Sequence, residues 1–236
     1  MGTVNWVQVI VGIFQSVLSG VFVGLVIYWL DERRAKRERN LSDFRIASNW
    51  EVSKPKVSMR NFQLANTNLA GCNLSTANLE NANFKKAWLH GTNLIKANLR
   101  RTNFQATSLL GTKVNGAIAY HVNFFNARIG RETDVQEKIP VDFSGSNLFA
   151  GSFRKAKINQ TLFVKTNLMG TDFTGAIVKK CDFTGADLTD SKWKKVKKVE
   201  NCTWKDVIVT PDNFPPELWK EIQNQNAKPI KKRNAK

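Results

Sequence analysis

The chain changes its hydrophobic rhythm once, sharply. Residues 1–30 carry no charge, and from Trp6 to Leu30 almost every position is apolar. A spanning helix needs about 20 such residues. Trp6 and Tyr28-Trp29 stand at the ends of the run, where aromatic rings favour the membrane interface. At 1.5 Å per residue the run makes roughly 34 Å of helix. The pattern predicts a single-pass transmembrane helix over residues 1–30. A cleaved signal peptide fits worse, because nothing basic precedes the run and Tyr28-Trp29-Leu30 replaces the small residues of a cleavage site. Arg33, Arg34, Lys36, Arg37 and Arg39 follow the run at once. The positive-inside rule then places the N-terminus outside and the rest of the chain in the cytoplasm.

This helix has a polar face. Gly12, Ser16, Gly20 and Gly24 recur every four residues, and Gln8, Gly12, Gln15 and Ser19 form an overlapping stripe. Gly and Ser are common in membrane helices and can mean nothing. Small residues at this spacing also let backbones approach closely in lipid, and buried Gln or Ser can bond across the contact. The expectation is transmembrane self-association through Gln8, Gly12, Gln15, Ser16, Ser19, Gly20 and Gly24.

From Arg60 the apolar positions recur every fifth residue. Centres fall at Leu64, Leu69, Leu74, Leu79, Phe84, Leu89 and onward to Ile129. A second block runs from Phe143 through Leu148 and Phe153 to Trp193. A small residue stands two positions before most centres: Thr67, Cys72, Ala77, Ala82, Ala87, Thr92. The two blocks hold 25 such units.

The unit resembles the pentapeptide-repeat family, Ala-(Asp/Asn)-Leu followed by two variable residues. Ala82-Asn83-Phe84, Ala97-Asn98-Leu99, Ala186-Asp187-Leu188 and Thr171-Asp172-Phe173 carry it most plainly. The resemblance covers residues 60–193. It implies a mainly β fold, a right-handed quadrilateral β-helix in which four repeats make a coil and both the centre and the small residue point inward.

Residues 20 apart should then stack. Leu64, Phe84, Phe104 and Phe124 form one such column, and Leu69, Leu89, Leu109 and Ile129 the next. Aromatic on aromatic and aliphatic on aliphatic is what a rod needs to fill its core. Phe143, Phe163 and Phe183 are expected to extend the first column, giving a core ladder of Phe84, Phe104, Phe124, Phe143, Phe163 and Phe183. Phe124 to Phe143 is 19 residues, however, and the segment 130–141 lacks the pattern. It is read as a coil with an irregular side that carries a protruding loop, which makes about seven coils in all.

The expected organisation is a transmembrane helix at 1–30, a basic juxtamembrane linker and N-terminal cap at 31–58, and the solenoid at 59–207. A C-terminal capping helix at 208–227 and a basic disordered tail at 228–236 follow. Phe214, Leu218 and Ile222 share one face of that helix behind paired prolines.

Composition sharpens the functional reading. The chain has 236 residues, 36 Lys+Arg against 19 Asp+Glu, and a net charge of +17. Family members that mimic B-DNA do so with an acidic surface, so that activity is not expected here. With 2 His, 3 Cys and no CxxC spacing, neither a metal site nor a disulfide framework is expected. Cys72, Cys181 and Cys202 fall at the small inward position, and His90 and His121 at outward positions with no carboxylate beside them in register. No catalytic residue, cofactor or small-molecule substrate is expected.

What remains is surface. Arg33, Arg34, Arg37, Lys192, Lys194, Lys195, Lys197 and Lys198 are the candidate contacts to an anionic surface. Nucleic acid is not favoured, because the basic residues lack interleaved exposed aromatics. The reading is a non-enzymatic, membrane-anchored scaffold or protein-interaction module with an unknown protein partner and a tendency to homo-oligomerise. The alternative is an oligomerising membrane effector that perturbs the bilayer.

Overall fold

The computed structural model describes residues 6–50, 57–130 and 140–230, with side chains described from Val21 onward in the first stretch. Two compact units divide at Ser42 and Asp43.

The first unit is helical. The helix α1 runs from Trp6 to Ser48 without a break, its last residues belonging to the second unit. The expected linker at 31–58 is therefore helical up to Ser48. Its Glu, Arg, Lys and Ala residues are good helix formers, and no Gly or Pro occurs between Asp31 and Lys54. Among the described residues no helix is long and apolar enough to cross a membrane. This overturns the expectation of a single-pass anchor over 1–30 with a cytoplasmic solenoid. In the part of α1 whose side chains are described, the apolar stretch Val21–Leu30 makes about 15 Å of helix. Asp31, Glu32, Arg33 and Arg34 follow it directly, and a hydrocarbon core is about 30 Å thick.

The second unit is a four-sided β-solenoid. Gln63, Asn68, Asn73 and Asn78 each form a parallel bridge to the residue 20 positions on, one on each side of the coil. Behind them the centres are buried, in four columns begun by Leu64, Leu69, Leu74 and Leu79. We number the faces one to four in that order. Face two holds the most regular sheet, five parallel strands: β1 Ser108–Leu109, β2 Arg128–Ile129, β3 Lys157–Asn159, β4 Ile177–Lys179 and β5 Lys198–Glu200.

Corners are built by the polar residue before each centre. The Oδ1 of Asn83, Asn98 and Asn103 accepts the backbone N–H two residues on, at 3.0–3.3 Å. Asp172, Asp182 and Asp187 do the same for Thr174, Thr184 and Thr189. Along a face the amides also bond one another: Asn103 Nδ2 donates to Asn83 Oδ1 at 3.2 Å. Inside, Thr92 and Thr102 donate to the carbonyls of Leu69 and Leu79 in the coil before. Asn103→Ala removes its corner bond and both its ladder bonds, the one it donates to Asn83 and the longer one, 3.5 Å, that it accepts from Asn123. It should cost about 1–3 kcal/mol, since each of the two shorter bonds is worth about 0.5–1.5 kcal/mol; a urea titration would read the loss directly.

The junction between the repeat blocks differs from expectation. Arg128–Ile129 pairs with Lys157–Ile158, 29 residues on, and Lys113 bridges Asp142. A whole coil of 20 is thus lengthened by nine residues, 131–139, which lie outside the described part. Phe143 consequently does not extend the Phe124 column. It forms the next side after Ile129 and lies under Val114, whose N–H donates to Asp142 O at 2.7 Å. Phe124 instead stacks on Phe153, 5.1 Å away and 14° from parallel, and meets Phe143 edge-on at 83°. The expected single ladder is two. Phe84, Phe104, Phe124, Phe153, Phe173 and Trp193 line face one. Phe143, Phe163, Phe183 and Trp204 line face three. The solenoid makes about six turns, not seven, because the nine extra residues lengthen one coil rather than adding sides to another.

Both ends are covered. At the first coil Ala47 of α1 is wholly buried, with Phe44 and Trp50 packed against the core. The Asp43 carboxylate accepts the Gln63 N–H at 2.7 Å, an edge donor with no earlier coil to bond. At the far end Phe214 stacks under Trp193 at 5.6 Å. The helix α2, Pro216–Gln223, buries Leu218 and Ile222. Edges left open would recruit other strands. The expected disordered tail also needs correction: Lys228–Pro229 pairs in parallel with Ile208–Val209, because the last coil still offers free carbonyls at Val207 and Val209. Residues 231–236 lie outside the described part.

Candidate functional site

The interior leaves no room for chemistry. Phenylalanine, leucine and alanine fill it, and the three cysteines sit among them. Cys181 is buried beside Cys202, and burial pushes its thiol well above the usual range. Its Sγ lies 3.1 Å from Lys179 O. Cys72 is half-buried and also raised by burial. Thiols held in the protonated form are poor nucleophiles; the Cys202 thiol is instead lowered by its hydrogen bond with Cys181, and it is buried. Among the described residues no group of His, Cys, Asp and Glu could hold a metal ion.

The outward faces are not alike. Face two and its two bounding corners collect lysine and arginine. Lys85 and Lys86 precede Trp88 on one coil, Arg128 lies two coils on, and Arg154, Lys155 and Lys157 occupy the next. Lys179 and Lys180 border the coil after that, and Lys194, Lys195, Lys197 and Lys198 the last. Among the described residues Glu200 is the one acid on this surface. Lys179 and Lys198 both bond its carboxylate, at 3.0 and 2.5 Å, and hold it below the usual carboxylate range.

The candidate anionic-surface residues are only partly gathered. Lys194, Lys195, Lys197 and Lys198 belong to the face-two surface. Lys192 bridges Asp172 and lies on face one. Val178 pairs with Val199, 21 residues on rather than 20, and the N–H groups of Lys197 and Lys198 both point at Ala176 O, at 2.9 and 3.3 Å. One extra residue is accommodated as a bulge, and both lysines are exposed. Arg33, Arg34 and Arg37 are exposed on α1, in the first unit, with the Arg33 guanidinium 3.7 Å over the Trp29 ring. Of the self-association residues, Gln8, Gly12, Gln15, Ser16, Ser19 and Gly20 have side chains outside the described part. Gly24 is within it, and a Cβ added there would meet nothing within 4 Å.

The sequence reading missed the aromatics on this surface. Trp88 is 59% exposed on face two. The His90 ring lies stacked on it at 5.9 Å and 19°, its Nε2 2.9 Å from Ser108 Oγ. Phe125 sits on the corner beside Arg128, under the Lys155 ammonium at 5.7 Å. A second cluster occupies the corner between faces four and one, where Arg100 lies over Tyr120 at 5.2 Å and His121 meets the edge of Phe149. The signal was present as spacing, since Trp88, Ser108 and Arg128 are 20 apart. Carrying it further needed the 29-residue step.

Comparison with known proteins agrees with this geometry. A family model described as pentapeptide repeats matches eight copies, over residues 59–94, 89–118 and 152–190. No curated protein matches the chain significantly. Among solved structures it is similar to QnrB1, a plasmid-mediated fluoroquinolone resistance protein, with 17% identity over 72% of this chain and 79% of that one and a TM-score of 0.50. It is also similar to HetL, a pentapeptide repeat protein involved in heterocyst differentiation regulation from the cyanobacterium Nostoc, with 15% identity over 71% of this chain and 81% of that one and a TM-score of 0.35. The matched repeats, their 20-residue coils and their filled four-sided core make the solenoid of this chain similar to pentapeptide repeats in both sequence and fold.

Proposed function

We propose that this chain is a non-enzymatic protein-interaction scaffold whose solenoid presents binding faces and whose helix α1 brings copies together. The carrying observation is on α1. Val21, Phe22, Val23, Leu25, Val26, Ile27, Tyr28, Trp29 and Leu30 are all exposed, from 38% to 69%. They project around the whole helix rather than along one stripe. A helix that is apolar all round is stable only when buried, and such a patch marks an interaction site. A second copy supplies a matching surface. The solenoid supports the scaffold half of the reading: its inward side chains are consumed by packing, so its capacity to act lies in what its faces hold.

Light scattering on the full-length protein tests this. Oligomers are expected at micromolar concentration. Gly24→Leu meets no obstacle within a single chain and favours the helix, so weakened association would report close approach between chains. Val23→Glu with Ile27→Glu should give monomers with an unchanged solenoid β-signal in circular dichroism. A monomeric wild type would end the self-association reading.

A further inference from the structure

We infer that face two is a binding site for single-stranded nucleic acid, a function beyond the protein scaffold proposed above and independent of it. The expectation against nucleic acid rested on a lack of exposed aromatics among the basic residues, and the structure supplies them.

Charge comes first. Face two and its corners carry twelve lysines and arginines and, among the described residues, one acid, Glu200; Lys198 and Lys179 bond that acid, and Arg154 reaches Asp172 of face one at 3.9 Å. The other faces are mixed, with Asp172 on face one, Asp142 and Asp182 on face three and Asp187 on face four. Among the described residues of the solenoid, positive charge is thus concentrated on one side. From the Trp88 coil to the Lys198 coil is five steps of about 4.8 Å, or about 24 Å. That accommodates about four nucleotides, the lower end of single-strand site sizes.

The shape of the Trp88 end then selects among polyanions. Ala106 and Ser108 are small and leave a hollow between Trp88 and Arg128, bounded by Lys86, His90 and Asn126. One side of the hollow is an exposed indole, already stacked with an imidazole. Two cations, Lys86 and Arg128, stand at its rim. An unpaired base can stack on Trp88 while its flanking phosphates meet those cations, the combination by which single strands are held. An acidic peptide would use the cations and leave the ring idle, and a duplex offers no unpaired base.

Fluorescence anisotropy with a labelled 20-nucleotide oligothymidylate and the full chain is the test. Saturable binding is expected at 50 mM NaCl, weakening about 100-fold by 200 mM if about five phosphates are neutralised. Trp88→Ala should weaken binding about tenfold. Arg128→Glu with Lys155→Glu should abolish it, whereas Lys96→Glu with Lys165→Glu, the same charge change on the corner between faces three and four, should leave it nearly intact. The proposal is overturned by no saturable binding at 50 mM, or by equal losses from the two double reversals. It is also overturned if a duplex binds as tightly, or if polyglutamate competes as well as the oligonucleotide and Trp88→Ala has no effect. That last result would assign the face to an acidic protein segment.

Discussion

Phe104→Ala is expected to lower the stability of the solenoid by about 3–5 kcal/mol, the range for emptying a buried aromatic site. Phe104 is fully buried. It is sandwiched between Phe84 at 5.0 Å and Phe124 at 4.9 Å, both rings within 11° of parallel. Truncation leaves a void walled above and below by rings anchored in their own coils, and the walls cannot collapse because each coil is hydrogen-bonded to the next. Each coil contacts only its neighbours, so a break in the middle should uncouple the two halves. The urea transition should broaden or split as well as shift. Lys113→Ala, at an exposed position one residue before Val114, should move the transition by less than about 0.5 kcal/mol. Similar, small shifts for the two variants would contradict the assignment of inward and outward positions.

Gly130→Ala is expected to be as damaging, for a different reason. Gly130 has φ +80°, and a Cβ there would lie 1.8 Å from the carbonyl oxygen of Asn159. The obstacle is backbone of a neighbouring strand, so it cannot rotate away. Gly130 also donates its N–H to Leu109 O at 2.7 Å, which holds it in place. The two strands must part, at an expected cost of about 3 kcal/mol or more, beyond the left-handed penalty of about 1–2 kcal/mol. Gly91→Ala is the control. Its φ is +65° with open space around the new methyl, so it should lose only the left-handed penalty. Comparing the two urea midpoints separates steric from conformational cost, and equal losses would show that the strand at Asn159 yields.

The sensitivity of the coil to such changes reflects how local its instructions are. A centre every fifth residue, a small residue two before it and an Asn or Asp one before it specify a side and a corner without reference to the rest of the chain. The inward role of Ala82, Thr92 or Cys181 was legible for that reason, and so was the family resemblance. Phe84 under Phe104 follows from one further fact, that four sides close a coil.

Two features were decided only in three dimensions. The sequence alone could not tell whether the segment after Ile129 was a poor side or an addition between sides. Both leave Phe143 at an inward position, and only the pairing of Arg128 with Lys157 shows that Phe124 stacks on Phe153. The basic face was invisible for the same reason. Lysines at 86, 155 and 195 stand on one corner only after the 29-residue step has been placed, and Trp88 joins them by the same register. The helix marks the opposite limit. Hydropathy registers that Val21–Leu30 is apolar, which the structure retains as an exposed surface, but it does not say what covers that surface. The periodic part of this protein was determined by short-range pattern, because each coil repeats the same local solution. Its faces were determined by tertiary register, because the identity of a surface depends on which coil lies above which.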